Sequence, residues 1–232
     1  MKEILQYLFN HNTLSKSEAK AILTEIAQNK FNENEVTAFV TVFLMRSITL
    51  EEMEGFQEAL LRLSVPADLE THDLVDIVGT GGDGKNTFNI STLASFVVAG
   101  AGQKVAKHGN YGVSTISGSS NVLEELGYQF KTNSEDLCQD LEKSNICFLQ
   151  APIFHPALRS VAPLRKGLGL RTFFNILGPL VNPAKPKFSM IGVYSLEIAR
   201  IYQYLLQKNQ ENYLTAHCLD GYSEIYLTLV TK

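Results

Sequence analysis

Apolar residues recur at helical spacing throughout the first 64 positions of the chain. The first run consists of Ile4, Leu5, Leu8 and Phe9, and three further runs follow before Pro66. Side chains three or four positions apart share one face of a helix, so the pattern predicts a small helical bundle with these residues in its core. Candidate N-terminal caps precede the later runs at Ser17, Asn34 and Thr49.

Beyond Asp73 the pattern changes to short apolar runs that alternate with helical segments. The predicted strands span residues 74–78, 103–106, 146–149, 188–194, 214–219 and 225–229, and the predicted helices span 91–101, 119–126, 134–143 and 196–206. Such alternation indicates an α/β fold with a mostly parallel sheet, in which ligands bind at the carboxyl ends of the strands. The sequence therefore predicts a small N-terminal helical domain, residues 1–70, and a larger α/β domain, residues 71–232.

One segment fits neither pattern. Residues 151–187 carry most of the seven prolines of the chain. We expect a long irregular excursion there, and such excursions are more often functional than not.

Composition excludes several classes of protein. The chain has 20 Lys and Arg against 24 Asp and Glu, a net charge of −4, which argues against a general nucleic-acid binder. Its three cysteines form no CxxC pair, so neither a disulfide framework nor a zinc site is indicated. The N-terminus lacks a signal-peptide core, and the most apolar stretch, residues 93–102, is about half of a membrane span. We expect a soluble cytoplasmic protein with no membrane or nucleic-acid partner.

The strongest local signal is a glycine-rich loop after the first predicted strand. Its glycines are Gly79, Gly81, Gly82 and Gly84, and polar donors follow at Thr87, Asn89, Ser91 and Thr92. Glycines let backbone N–H groups approach an anion, and the start of the next helix adds an oriented dipole. The loop therefore predicts a phosphate or pyrophosphate site.

Two familiar phosphate motifs almost fit this loop. The glycine spacing matches the dinucleotide fingerprint, but no acid lies between Asp83 and Glu124 to hold a ribose. The loop also begins like a P-loop, but Asn86 stands where that motif has serine or threonine. Neither motif is therefore predicted.

A second polar loop follows the next predicted strand. Lys107 supplies a positive charge, and Gly109 and Gly112 open the backbone. Hydroxyls follow at Ser114, Thr115, Ser117, Ser119 and Ser120. Two such loops on adjacent strand ends predict a ligand with two separated phosphate groups. His108 is a weak candidate for a catalytic base, because a histidine here more often donates a hydrogen bond or packs.

Four motifs in order carry a family resemblance. They are Gly79-Thr-Gly-Gly-Asp83, Asn89-Ile-Ser-Thr92, Lys107-His-Gly-Asn110, and the stretch from Arg165 through Arg171-Thr172 and Ile176-Leu-Gly-Pro-Leu180 to Asn182-Pro183. Together they resemble the anthranilate phosphoribosyltransferase family, which has a nucleoside phosphorylase-like transferase fold. The resemblance covers nearly the whole chain, including the helical block.

The resemblance implies a reaction. A phosphoribosyl group would pass from 5-phosphoribosyl diphosphate (PRPP) to the amino group of anthranilate, which releases pyrophosphate in a step of tryptophan biosynthesis. The resemblance further implies Mg²⁺ as cofactor, a homodimer formed through the N-terminal helices, and a return of residues 160–186 to the helical domain.

The resemblance also assigns residues to ligands. PRPP would be bound by Gly79, Gly82, Asp83, Thr87, Asn89, Ile90, Ser91, Thr92, Lys107 and Ser119. Anthranilate would be bound by Gly79, Asn110 and Arg165, in a tunnel lined by His108, His155 and Pro179. Mg²⁺ would be bound by Ser91, Glu224 and Ser223.

Two departures from the family are visible. Ser223 stands where the family carries an aspartate, and a neutral hydroxyl is a weaker ligand for a hard cation, so we expect a weakened second metal site. Family members run roughly half as long again, so we expect a C-terminal part to be missing. Two alternatives stay open: a pyrimidine-nucleoside phosphorylase-like enzyme, and a non-catalytic relative that binds a phosphate-rich ligand.

Overall fold

The computed structural model of the protein describes residues 1–69, 73–81, 84–85, 87–112, 117–209 and 212–225. Within these ranges the helices are α1 (Lys2–Phe9), α2 (Lys16–Ala27), α3 (Glu33–Met45), α4 (Leu50–Leu63), α5 (Ile90–Gly100), α6 (Ser119–Glu125), α7 (Ser134–Ser144), α8 (Ala151–Phe154), α9 (Ala162–Leu168), α10 (Phe173–Leu177) and α11 (Leu196–Lys208). The strands are β1 (Val75–Gly79), β2 (Val105–Gly109), β3 (Ile146–Gln150), β4 (Phe188–Gly192) and β5 (Asn212–Ala216).

Helices α1 to α4 form the predicted bundle. Thr49 caps α4 as predicted, but the predictions of Ser17 and Asn34 were wrong, because Ser15 caps α2 and Asn32 caps α3. Each of the three caps accepts a bond from the backbone of a glutamate three residues later, and that glutamate accepts one in return. This reciprocal pair satisfies two backbone donors that the helix itself leaves free.

Gly55 sets how closely two helices of the bundle approach. A Cβ at this position of α4 would lie 2.7 Å from the Cβ of Ala19 and 2.9 Å from the backbone nitrogen of Lys20, both on α2. No residue larger than glycine fits without moving a helix backbone. The glycine therefore costs some helix propensity but permits tight packing of α2 on α4.

The five strands form one parallel sheet in the order β3-β2-β1-β4-β5. Alternate strand residues point to opposite faces. On one face lie Val105, Ile146 and Phe148, which pack with Ala99 of α5 and Leu123 of α6. On the other face lie Leu74, Ala106, Cys147 and Leu149, which pack with Leu137, Leu141 and Phe154.

Each of the five described strands differs from its predicted bounds by one or more residues, and two differences from the predictions bear on the site. Strand β2 runs on to Gly109, so Lys107 and His108 belong to the strand and not to the loop beyond it. Ile225 is not in a strand, and the remainder of the predicted strand at 225–229 lies outside the described residues.

The prediction of an irregular excursion at 151–187 was wrong over much of its length. Helices α8, α9 and α10 lie there, together with 3₁₀ turns at Pro156–Leu158 and Gly178–Leu180. Each element except α10 carries a proline at its first or second position. Proline breaks a helix interior but is favoured in the first turn, where its missing N–H has no partner to lose.

The same segment packs on the helical bundle. The ring of Phe173 stacks on that of Phe56 at 4.6 Å between centroids and meets the rings of Phe39 and Phe43 edge-on. The side-chain amide of Gln57 donates to the carbonyl of Leu180 at 2.9 Å. The division into residues 1–70 and 71–232, with 160–186 returning to the bundle, stays a prediction.

No helix in the described part of the chain is both long enough and apolar enough to cross a bilayer.

Candidate active site

The carboxyl ends of the five parallel strands lie along one edge of the sheet. Gly79 of β1 is aligned with Gly192 of β4, and Gly109 of β2 with Gln150 of β3. The loops that follow β1 and β2 are the two polar loops of the sequence. Ligands bind at this edge in open parallel sheets, so a ligand-binding site is expected here.

The glycine-rich loop bends sharply before α5. Gly81 and Gly84 have φ of +63° and +73°, a left-handed conformation that favours glycine. Asn89 precedes α5 but does not cap it, and its amide instead donates to the carbonyl of Gly118 at 3.4 Å. The hydroxyl of Thr92 is buried and has no hydrogen-bond partner in the described structure. The start of α5 thus lacks a side-chain cap and carries an unsatisfied hydroxyl, as an anion site requires.

Lys107 lies buried against this helix start. Its Nζ donates to the carbonyl of Ile77 at 2.6 Å and lies 3.4 Å from the Oγ of Ser91. Burial lowers the pKa of Lys107 to about 8, although the carboxylate of Asp76 opposes the shift. Burial likewise raises the pKa of Asp76 to about 6 against the opposing effect of Lys107. Burial thus disfavours the charge on both groups, the attraction between them opposes this effect, and the ammonium of Lys107 lies at the glycine-rich loop.

The second polar loop folds back on itself through close contacts, and one side-chain hydrogen bond links it to the first loop. A Cβ at Gly109 would overlap the hydroxyl of Ser119, and a Cβ at Gly118 would overlap the backbone of Asn110. The hydroxyl of Ser119 donates to the carbonyl of Asn110 at 3.4 Å. Since Asn89 bonds Gly118, the two loops that the sequence suggested as separate anion sites meet in one place.

Two buried histidines lie on the other face of the sheet. The Nδ1 of His108 lies 3.2 Å from the carbonyl of Gly178, and the Nε2 of His155 lies 2.7 Å from that of Val181. A carbonyl only accepts, so each of these nitrogens carries the proton. The opposite nitrogen of each ring is buried without a partner in the described structure, and the two rings lie 5.2 Å apart. The pair therefore presents two acceptors beside residues 178–181.

Arg165 is a buried cation on α9. Its NH2 group donates to the Oδ1 of Asn175 at 3.4 Å, and its guanidinium lies 5.5 Å from the ring centre of Phe174. Its Nε has no partner among the described residues, and no described carboxylate pairs with it. Burial lowers its pKa. A buried guanidinium without an acid is suited to a carboxylate brought by a ligand.

The segment 220–224 lies against the glycine-rich loop. A Cβ at Gly192 would overlap the backbone oxygen of Ser223, so this segment lies directly on the end of β4. The ammonium of Lys85 lies 4.6 Å from the ring centre of Tyr222. Among the described residues no three His, Cys, Asp or Glu side chains cluster as metal ligands. A Mg²⁺ ion bound here would therefore take most of its ligands from substrate phosphates and water.

The structure brings most predicted site residues together at this edge. Around the glycine-rich loop and α5 it places Gly79, Thr87, Asn89, Ile90, Ser91, Thr92, Lys107 and Ser119. Near residues 178–181 it places His108, His155 and Pro179. Gly82 and Asp83 lie outside the described residues. The role of each residue stays a prediction.

Sequence reasoning assigned no role to Asp76 or Asn182, and it named Ser120 only as one of several hydroxyls in the second loop. Asp76 and Asn182 are buried and bonded to each other at 2.9 Å beside His108. Asp76 could have been singled out from the sequence because it is the one acid in an apolar predicted strand. Its bond to Asn182 is visible only in the fold. The hydroxyl of Ser120 is buried at the start of α6 without a partner in the described structure.

The two neutral histidines predict a loss of stability in acid. Burial lowers the pKa of His155 from 6.5 to about 4 and that of His108 to about 3. Their contribution to stability is therefore complete above pH 6.5 and falls as the pH drops through the folded pKa values, because the unfolded chain then binds more protons.

Replacing one of these rings makes the effect measurable. In His155→Gln, we expect the pH dependence of the free energy of unfolding between pH 6.5 and 4 to be smaller than in the wild type. The slope of the unfolding free energy against pH is expected to be smaller by about 1.4 kcal/mol per pH unit, the value for uptake of one proton. Urea titrations at several pH values measure it. His11→Asn, at an exposed site, is the control, and equal slopes in wild type and His155→Gln would contradict the expectation.

The chain is similar to known proteins along its length. The sequence matches two domains of a glycosyl transferase family, the helical bundle domain over residues 2–64 and the a/b domain over residues 71–232. An anthranilate phosphoribosyltransferase of Christiangramia forsetii is 56% identical over 232 residues, which are 100% of this chain and 70% of that protein. One of Flavobacterium psychrophilum is also 56% identical, with the same coverage.

Two solved structures of anthranilate phosphoribosyltransferases have a similar fold. Anthranilate phosphoribosyltransferase from Thermus thermophilus superposes with a TM-score of 0.84 at 33% identity, over 96% of this chain and 68% of that one. The enzyme from Saccharomyces cerevisiae in complex with PRPP and Mg superposes with a TM-score of 0.86 at 31% identity, over 95% of this chain and 66% of that one.

Proposed function

The chain belongs to the glycosyl transferase family that contains the anthranilate phosphoribosyltransferases, and from this membership we propose that it transfers the phosphoribosyl group of PRPP to the amino group of anthranilate. The products are N-(5-phosphoribosyl)anthranilate and pyrophosphate, in a step of tryptophan biosynthesis. One observation carries the proposal at the level of the site. Lys107 is buried at the start of α5, and Arg165 is buried on α9 with no described carboxylate paired to it.

The two cations suit the two substrates. Lys107 lies beside Ser91 at the start of α5, where the glycine-rich loop offers backbone donors to phosphate oxygens. Arg165 presents a planar fork that pairs with a carboxylate through two hydrogen bonds, as the benzoate group of anthranilate requires. Anthranilate would contact Asn110, Pro179 and the two histidines.

The reaction needs little acid or base chemistry from the protein. The C1′–O bond to the diphosphate breaks, the C1′–N bond to the amine forms, and the amine loses one proton. An aromatic amine is already unprotonated at neutral pH, and a His108 with a pKa of about 3 is a poor base. Catalysis therefore rests on positioning the two substrates and on stabilising the charge that develops in the transition state.

We further propose that Mg²⁺ is the cofactor. When bound, it neutralises the diphosphate and makes it a better leaving group. Ser91 and Glu224 would contribute ligands, and the close contact of Ser223 with Gly192 supports this placement by holding the segment against the glycine-rich loop.

Ser223 offers a direct test of the metal site. Changing Ser223→Asp supplies a carboxylate to the cation, so we expect several-fold higher activity at low Mg²⁺ concentration. The measurement is a Mg²⁺ titration of the initial rate. Ser223→Asn is the matched control, because it has the shape of aspartate without its charge. A rate that is unchanged in the aspartate variant, or raised equally in both variants, would count against the proposed metal role.

Homodimerisation and a cytoplasmic location are also proposed. The helical bundle exposes four large apolar side chains, Tyr7, Phe9, Leu44 and Met45. These side chains support a contact between two bundles. The mass of the purified protein by sedimentation equilibrium decides between a dimer and a monomer, and a monomer at micromolar concentration would contradict the proposal.

The experiment that tests the proposed activity follows anthranilate fluorescence. Purified protein is mixed with PRPP, anthranilate and Mg²⁺, and each component is omitted in turn. The proposal expects fluorescence to decay only in the complete mixture. Phosphorolysis of uridine, thymidine or inosine, measured in parallel, tests the nucleoside phosphorylase alternative.

A further inference from the structure

An acidic side chain lies in the apolar interior of the sheet. Asp76, the second residue of β1, is 1% exposed and lies between Val75 and Ile77. A buried carboxylate is costly unless hydrogen bonds satisfy its oxygens. The reaction proposed above gives Asp76 no direct contact with a substrate, so its presence calls for another role.

The hydrogen bonds of Asp76 lead to one distant residue. Its Oδ2 accepts from the amide of Asn182 at 2.9 Å, and its Oδ1 accepts from the backbone N–H of His108 at 3.4 Å. The same amide of Asn182 also donates to the carbonyl of Ala106 at 2.9 Å, and its Oδ1 accepts from the backbone of Ala184 at 2.9 Å. The side chain of Asn182 is therefore bonded to both β1 and β2, and both of its polar atoms have partners.

Asn182 ends the stretch of chain that faces the histidines. Gly178 and Val181 of this stretch accept hydrogen bonds from the rings of His108 and His155, and Pro179 lies between them. Residues 178–182 thus contact β2 through the imidazole of His108, contact His155 after α8, and reach β1 and β2 through the amide of Asn182. Only the bond from Asn182 to Asp76 ends on a charged group, and hydrogen bonds to a charge are stronger than neutral ones.

We propose that Asp76 and Asn182 are positioning residues that fix residues 178–182 against the strand ends and so set the place of the aromatic acceptor relative to PRPP. This inference rests on the proposed function. Neither residue touches a substrate. Each acts through His108, Pro179 and the backbone between them.

The variant Asp76→Asn isolates this role. It keeps the shape of the side chain but replaces one oxygen by an NH₂ group, which then faces either the amide of Asn182 or the N–H of His108. We expect KM for anthranilate to rise about tenfold, the size expected when a buried polar group loses its partner, with KM for PRPP within about twofold of the wild type. Initial rates at varied concentrations of each substrate measure the split.

A second acid provides the matched control. Glu52 is 0% exposed in the helical bundle, where it pairs with Arg46 and accepts from the backbone nitrogens of Leu14 at 3.0 Å and Thr49 at 2.9 Å. Glu52→Gln makes the same chemical change away from the site. We expect it to lower the thermal unfolding midpoint without separating the two KM values.

The possible outcomes are distinct. If Asp76→Asn does not fold, Asn182→Ala is measured in the same way, with the same expected split. This inference would be overturned if the wild type is active and the variant changes both KM values equally, or loses only stability as Glu52→Gln does. Either outcome would leave the proposed function intact. A wild-type protein without activity would overturn the proposed function, and this inference with it.

Discussion

Replacing Lys107 by methionine is expected to lower kcat/KM for PRPP by about 100-fold to 1,000-fold, the range found when one preorganised donor to a developing charge is removed. Methionine has a similar length and fills the buried space, but it removes the charge 3.4 Å from Ser91. The phosphates would then meet the glycine-rich loop without their nearest buried cation. Initial rates at varied PRPP concentration measure the loss.

The control for this variant is another lysine on the same part of the chain. Lys104 forms a surface ion pair with Glu142 at 2.8 Å, and exposed pairs contribute about 0–1 kcal/mol. Lys104→Met is therefore expected to change the rate little. A Lys107→Met protein that folds and keeps the wild-type KM for PRPP would show that the ligand phosphates lie elsewhere.

Replacing Arg165 by methionine is expected to lower kcat/KM for anthranilate by about 100-fold, since losing one partner of a buried charge pair costs about 2–5 kcal/mol. The substrate carboxylate would then be buried without a cation. KM for PRPP should stay near the wild-type value. Arg165→Lys should recover only part of the loss, because an ammonium cannot form the two parallel hydrogen bonds of a guanidinium.

The neighbouring lysine controls for charge on the same helix. Lys166 is exposed on α9, so Lys166→Met removes one positive charge without touching the buried position. We expect near wild-type kinetics for it. If both substitutions weaken anthranilate use equally, Arg165 acts through the general field of the helix and not through a direct contact.

Periodicity and turn chemistry predicted most of the architecture. The four bundle helices and the five described strands lie close to where apolar spacing placed them, because burial of one face decides both patterns. The errors at the caps were avoidable. Ser15 and Asn32 each have a glutamate three residues later, and this pairing distinguishes them from Ser17 and Asn34.

The parts of the site that depend on contacts between distant residues could not be predicted from the sequence. Lys107 looked like a loop residue because a short strand with mixed polarity has no clear end, yet it is buried within β2. Asp76 and Asn182 are 106 positions apart, and nothing local couples them. The prolines of residues 151–187 indicated a break in regular structure, whereas Pro152, Pro156, Pro163 and Pro179 begin helical turns.

Each face of the sheet is proposed to serve one of the two substrates. Lys107 reaches Ser91 on the α5 side, while Asp76 and His108 face residues 178–182 on the other side. PRPP and anthranilate would therefore approach the strand ends from opposite faces and meet at the edge near Gly79 and Gly109. This arrangement explains why substitutions on one face should change the KM of one substrate and leave that of the other nearly unchanged.

The most direct test of the proposed activity is the stoichiometry of the wild-type reaction. Anthranilate consumption is followed by fluorescence and pyrophosphate release by a coupled assay, in the same mixture with PRPP and Mg²⁺. Equal amounts of anthranilate lost and pyrophosphate released are the predicted result. No loss of anthranilate, while phosphate cleaves uridine, thymidine or inosine, would contradict the assignment.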